Sequence, residues 1–268
     1  MRGTNAEGSA RAFMITAKKS LGQHFLHDEN MARKIAETFL SRCPTVSIVE
    51  VGPGLGALTK YLLANSKFTY HAVEADSRMV EHLVNLFPAI RAVLFHEDFL
   101  LFDFSKLKSD SVSVVGNFPY NISSQILFKV YEERNRVPFM VGMFQKEVAQ
   151  RIAALHGNKE YGILSVLIQV FYEVTYLFEV HEQCFSPPPK VKSAVIQLAR
   201  KKNPPVLKNE SLFRALVKAG FNQRRKTLRN SLAQFLHGKN PVSVSLLSRR
   251  AEQLSVNEWM DLANDVAS

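Results

Sequence analysis

The 268 residues are 46% hydrophobic and 22% charged, the balance of an ordinary globular chain with material for one large domain and a small companion. No run approaches the roughly 18–20 apolar residues of a membrane helix, and the opening stretch MRGTNAEGSARAF lacks the apolar centre of a secretory signal. Cys43 and Cys184 make neither a disulfide framework nor a metal-site spacing, so a reducing cytoplasm is the expected compartment. Of the net charge of +10, residues 200–268 carry +8, from thirteen Lys and Arg against five Asp and Glu. Residues 1–199 carry only +2. A basic excess gathered in one quarter of a chain points to a polyanion, most often nucleic acid.

In chain order, the acidic start and apolar spacing of DENMARKIAETFL predict a helix from Asp28. VSIVEVGPGLGALTKYLL reads as strand, glycine loop, helix. FTYHAVEAD is a second strand, and RMVEHLVNLF a helix halted by Pro88. RAVLFHED, VSVVGN and VPFMVGMFQ are β-rich, with the helical SSQILFKVYEE between the last two. Such alternation predicts a mainly parallel sheet covered on both faces. EVTYLFEV and SAVIQLAR then read as an antiparallel hairpin at the sheet edge, joined through the proline-rich CFSPPPKVK. RKKNPPVLKNE reads as a linker, and residues 206–268 are expected to be helical, with Trp259 in their core.

Three features converge on a cofactor-binding methyl-transfer site. Gly52, Gly54 and Ala57 satisfy a loose dinucleotide-type fingerprint, in which glycines let backbone approach a ligand before a helix N-terminus. Glu74, at the end of the second strand and 20 residues after Gly54, suits a ribose diol, and Asp98 in HEDF suits an adenine amino group. Asn117-Phe118-Pro119-Tyr120 has the polar–apolar–proline–aromatic pattern of methyltransferases acting on exocyclic amino groups. That chemistry explains the residue types. An adenine amine is a poor nucleophile because its lone pair is delocalised into the ring. Two acceptors, the Asn117 side-chain oxygen and the Pro119 carbonyl, hold its hydrogens and aim the nitrogen, while Tyr120 stacks on the extruded base. His24 and His27 have no companion carboxylate or cysteine cluster, so no metal is expected.

The ordered set KKSLGQHFLHDENM, EVGPGLGALT, VEAD, GNFPYNISSQI, FQKEVAQRI, FSPPPKVKSAV and FNQRRKTLRNSL resembles the small-subunit ribosomal RNA adenine dimethyltransferase family over about residues 17–265. The resemblance implies a Rossmann-like class I methyltransferase α/β sheet with helices on both faces, over residues 17–202. A basic, RNA-binding α-helical domain would follow over 203–268, with a loose arm over 1–16. It implies S-adenosylmethionine as cofactor and, as product, N6,N6-dimethyladenine at two adjacent adenines in the 3′-terminal hairpin of small-subunit (16S) RNA. The substrate would be an immature small-subunit particle, met by a monomer with no membrane association. Carried over by position, Gln23, His24 and Leu26 close over the cofactor, Gly52 lies beside its methionine part, and Glu74 and Asp98 take the ribose and adenine. Asn117 and Tyr120 form the target-base site, with Phe185 on the base's other face. Many relatives have asparagine at His24, so a side-chain role there does not carry over, and Phe118 replaces a common leucine. Arg224, Arg225, Lys226 and Arg229, in a run read as helical from Phe221, neutralise RNA phosphates, with Lys18, Lys19, Lys190 and Lys192 near the catalytic mouth. The rival readings are a large-subunit adenine dimethyltransferase conferring antibiotic resistance, an assembly factor acting mainly by binding, and a nicotinamide oxidoreductase. The last lacks hydride-transfer partners.

Overall fold

The computed structural model describes residues 22–237 and 244–267. Lys18, Lys19 and the expected arm over 1–16 lie outside the described residues.

Seven strands form the central sheet: β2 (Ser47–Val51), β3 (Thr69–Glu74), β4 (Leu94–His96), β5 (Val112–Asn117), β6 (Phe139–Gln145), β7 (Tyr172–Val180) and β9 (Ser193–Arg200). Their order is β4-β3-β2-β5-β6-β9-β7. The first five are parallel; β9 enters antiparallel between β6 and the edge strand β7. The hairpin read from EVTYLFEV and SAVIQLAR is therefore at the edge, with β9 tucked inside β7. Chain order reverses on either side of β2, and the crevice outside the strand ends at such a point is where α/β sheets bind ligands.

Period-two alternation sorts the strand side chains onto two faces. Val49, Val73, Val114, Met140 and Leu198 pack under helices α4 (Ser123–Glu132), α5 (Lys146–Ala153) and α6 (Ile163–Phe171). Ile48, Ala72, Val115, Val141 and Val195 face α1 (Glu29–Arg42) and α2 (Thr59–Leu63), with Leu83 of α3 (Ser77–Leu86). Asp28 caps α1 by accepting from the Met31 N–H at 2.8 Å, and Asp76 caps α3 through the Arg78 N–H.

The C-terminal region has α7 (Glu210–Asn222), the short α8 (Leu228–Ser231) and α9 (Ala233–Leu236), and α10 (Val256–Val266). Its buried Phe213, Leu216, Trp259 and Leu262 join the core beneath α6, so these helices share apolar surface with the sheet. Trp259 is fully buried, and its Nε1–H donates to the Ala251 carbonyl at 3.2 Å. The basic stretch is helical only at its two ends: α7 runs through Phe221 and stops at Asn222, residues 223–226 turn, and Arg229 lies in α8, which begins at Leu228. The reason is the return contact of Thr227 and Leu228 with Arg250 and Arg249, which pulls the chain out of the α7 axis.

One packing detail carries the fold into the site. Gly116 and Gly142 are register partners on β5 and β6, and the Phe118 ring lies over both. A Cβ on Gly116 would stand 2.7 Å from that ring and 2.6 Å from the Val51 carbonyl. A Cβ on Gly142 would run into the ring itself. Phe118, 1% exposed and 5.1 Å from the Phe144 ring between centroids, is thus the peg that seats the loop after β5. Gly142→Ala is expected to destabilise the fold by about 1–3 kcal/mol through overpacking, read as a lower thermal midpoint, and to displace that loop.

Candidate active site

The cleft opens at the C-terminal ends of β2, β3 and β5. Gln23, His24, Leu26, Gly52, Gly54, Glu74, Asp98, Asn117, Pro119 and Tyr120 all line it, though they span residues 23 to 120 of the sequence. Gly52 and Gly54 hold φ of +64° and +56°, conformations that side chains resist. A Cβ on Gly52 would meet nothing within 4 Å, so this backbone borders open space that a ligand can fill. A Cβ on Gly54 would touch the Phe25 ring at 3.5 Å. The segment before α1 thus roofs the glycine loop.

That roof is fastened from three sides. β1 (Phe25–Leu26) pairs antiparallel with β8 (Phe185–Ser186). Gln23 Nε2 donates to Asp76 Oδ2 at 3.0 Å. Asn117 Nδ2 donates to the His24 carbonyl at 3.1 Å. Because that contact is with the backbone, the His24 ring is free for another: it lies 5.3 Å from the Tyr120 ring, and its Nδ1 is 2.8 Å from the Pro187 carbonyl oxygen. Tyr120 is fixed at its far end by a 2.6 Å hydrogen bond between its hydroxyl and that of the buried Ser193.

Three acids meet under the glycine loop, with different fates. Glu74, 7% exposed, accepts from the Gly54 N–H at 3.1 Å and the Asp76 N–H at 2.9 Å. Burial raises its carboxyl above the usual range despite those donors. Glu50, 1% exposed, accepts from the hydroxyls of Tyr70 at 2.5 Å and Thr59 at 2.8 Å. Burial lifts its pKa from 4.5 to about 7, with the nearby Glu74 adding to the rise. Asp76 goes the other way, held well below the usual range first by its hydrogen bonds from Arg78, whose Nη2 is 2.5 Å away. Asp98 lies two residues beyond β4, exposed, with Oδ1 accepting from the Leu100 N–H at 2.9 Å.

Two of the expected site groups are engaged within the protein itself. Phe185 does not line the cleft: it is 2% exposed and packs in the core with Leu26 and Phe39. The cause is the β1–β8 pairing, which sets it opposite Leu26 and turns its ring inward. The Pro119 carbonyl already has donors from its own turn. It accepts from Ser123 Oγ at 3.1 Å and the Ile122 N–H at 3.3 Å, because residues 120–122 fold back as a 3-10 turn. Of the basic residues, Lys190, Arg225, Lys226 and Arg229 are exposed. Arg224 is half-buried against Glu252 at 3.7 Å and the Asn158 carbonyl at 3.3 Å.

Glu50, Asp76, Ser123 and Ser193 are absent from the sequence-derived set. The first two sit in motifs quoted for other reasons, an acid inside the apolar strand SIVEV and the acid preceding α3. For the two serines no local signal exists, since their partners lie on other elements or in a turn visible only once folded.

The sequence model of the family described as ribosomal RNA adenine dimethylase matches residues 14–268. The chain belongs to this family. Its relatives include the ribosomal RNA small subunit methyltransferase A of Cytophaga hutchinsonii, 47% identical over 93% of this chain and 97% of that one. The protein of the same description from Phocaeicola vulgatus is 48% identical over 94% and 90%. Among solved structures, a dimethyladenosine transferase from Plasmodium falciparum superimposes with a TM-score of 0.74 at 26% identity, covering 89% of this chain and 96% of that one. The 23S rRNA methyltransferase ErmE shares the fold, with a TM-score of 0.68 at 23% identity over 91% of this chain and all of that one. As a member of the ribosomal RNA adenine dimethylase family, the chain is an S-adenosylmethionine-dependent methyltransferase with a class I sheet.

The pH dependence follows from the floor of the dimethylase cleft. Folded Glu50 keeps its proton up to about pH 7, whereas the unfolded chain releases it near the ordinary carboxylate value. Stability therefore falls as pH rises through that window. Thermal midpoints of wild type and Glu50→Gln are expected to be closest at pH 5 and to diverge by pH 8, with the variant the more stable. The difference between the two curves isolates Glu50 from His71, whose burial-lowered pKa acts with the opposite sign.

Proposed function

We propose that this enzyme dimethylates the exocyclic amino nitrogen of two adjacent adenines in the 3′-terminal hairpin of small-subunit ribosomal RNA, acting as a cytoplasmic monomer on an immature small-subunit particle. Relatives described as small-subunit enzymes, 47–48% identical over nearly the whole chain, support the choice of subunit. The likeness to ErmE is one of fold alone.

The observation that carries the reading is the tethered amide of Asn117. With Nδ2 committed to the His24 carbonyl, Oδ1 is the end left to accept a hydrogen from a substrate amine. An amide without that tether presents donor or acceptor alike. Asn117 is then the principal acceptor. Pro119, at φ −57°, contributes by setting the turn, and its carbonyl is shared with Ser123. Tyr120, braced by Ser193, offers its ring to the extruded base.

The residues lining the cleft suit the cofactor. Gly52 and Gly54 open the backbone, Glu74 offers carboxylate acceptors for a diol, Asp98 stands at the rim for an amino group, and Gln23, His24 and Leu26 form part of the roof. Bound S-adenosylmethionine supplies a sulfonium methyl already activated toward attack. The protein's remaining work is to position the amine and exclude water. Glu50, 1% exposed, lies where little water reaches the cleft floor. No side chain needs to act as a strong base, because the nitrogen becomes acidic on methylation and loses its proton to water. Exposed Lys190, Lys192, Arg225, Lys226 and Arg229 hold the RNA by its phosphates.

Asn117→Ala is expected to keep cofactor affinity within a few-fold by calorimetry. Tritium transfer to unmethylated small-subunit particles should fall by roughly 10²–10³-fold, the usual loss for one transition-state hydrogen bond. Normal turnover in this variant would overturn the assignment of Asn117. Transfer to isolated large-subunit particles in place of small-subunit ones would overturn the substrate.

A further inference from the structure

We propose that a groove on the rim of the sheet opposite the active cleft is a second RNA site, gripping phosphodiester backbone away from the target hairpin. It rests on the RNA-substrate reading above. The groove lies where β6 begins, β9 ends and the chain leaves for α7. Five cationic side chains line it, Arg42, Arg134, Arg200, Lys201 and Lys202, and among the described residues no carboxylate does.

What these cations touch matters more than their number. Arg42 Nη1 donates to Gln197 Oε1 at 3.0 Å. Arg200 Nη1 donates to the carbonyls of Arg134 and Asn135, both at 2.8 Å. Lys201 Nζ donates to the Gln169 carbonyl at 2.6 Å. All of these acceptors are neutral, so the hydrogen bonds hold the side chains without cancelling their charge. Arg134 alone has an acidic partner, Glu210 at 2.6 Å, and its guanidinium lies 4.2 Å from the centre of the Phe171 ring. Lys201 also feels Glu173, but burial outweighs that attraction and draws its pKa below the usual lysine value. Positive charge fixed by neutral oxygens in a partly enclosed groove is a field that an anion relieves.

Charge complementarity selects the occupant. Arg200, Lys201 and Lys202 are consecutive where β9 gives way to the linker, and Arg42 stands at the end of α1 beyond Gln197. This is a track of fixed cations suited to a run of phosphates rather than a pocket for one small acid. A ribosomal particle presents phosphate backbone well beyond the hairpin being methylated, so an enzyme with basic surfaces on two rims can hold RNA at both. Arg225 and Lys226, in the turn between α7 and α8, do not line this groove.

The test uses full-length enzyme and unmethylated small-subunit particles, with the binding constant measured across a potassium chloride series. Arg42→Gln combined with Lys202→Gln removes two exposed cations without touching the active cleft. The slope of log K against log salt is expected to fall by between about one and two, with binding at low salt weakened several-fold. Cofactor affinity and thermal midpoint should stay at wild-type values, and turnover at saturating particle should be normal, which separates loss of this contact from failure of the catalytic assignments. Arg91→Gln with Lys67→Gln, two exposed cations placed elsewhere, should leave the slope unchanged. An unchanged slope in the groove variant, or an equal drop in this second pair, would overturn the proposal.

Discussion

Asn117 belongs to two structures at once. Its backbone is the last residue of β5, positioned by the parallel ladder with β2 and β6. Its side-chain amide holds the His24 carbonyl and so the roof of the cleft. This hydrogen bond therefore ties the sheet, which is rigid because it is buried on both faces, directly to the roof segment. The same bond orients the amide. Without it, the roof segment would lose its link to β5, keeping its contacts with the 184–187 segment and Asp76, and the acceptor end of Asn117 would have no fixed direction.

The loop after β5 gains its rigidity from packing. The Phe118 ring occupies space that glycines on two adjacent strands leave vacant, and the Tyr120 hydroxyl is tied to Ser193 on β9. The Ser123 hydroxyl closes the turn onto the Pro119 carbonyl. Pre-organisation of this kind lowers the entropy lost when a base and a methyl donor are brought together. The cost is a loop that tolerates little change in the volumes beneath it.

Electrostatics divides the molecule into regions. Under the glycine loop, Glu50, Glu74 and Asp76 make an acidic floor whose members differ because only Asp76 has a cation, Arg78, to hold it ionised. Away from the cleft the surface turns basic, at the 223–226 turn and at the groove beside the linker. In both places some arginines are held by neutral or acidic neighbours while others remain exposed. Charge count by itself does not tell a phosphate-binding residue from one such as Arg224, which braces its own fold against Glu252.

The sequence by itself determined the alternation of strands and helices, the glycine loop, the acids at the ends of β3 and near β4, and the Asn117–Tyr120 tetrapeptide. These are legible because each depends on local chemistry: period-two apolar residues, glycines that accept positive φ, a proline that ends a ladder. Tertiary structure alone decided which face of a segment meets which partner. Phe185 is paired opposite Leu26 and so packs into the core, which no local pattern announces. The basic run after Phe221 is interrupted by a turn, because Thr227 and Leu228 bond back to Arg250 and Arg249. Ser193 meets Tyr120 across 73 residues, and the cations of the groove come from elements far apart in the chain. Contacts of that range leave no mark in local composition, because the physical cause, proximity, exists only after the chain has folded.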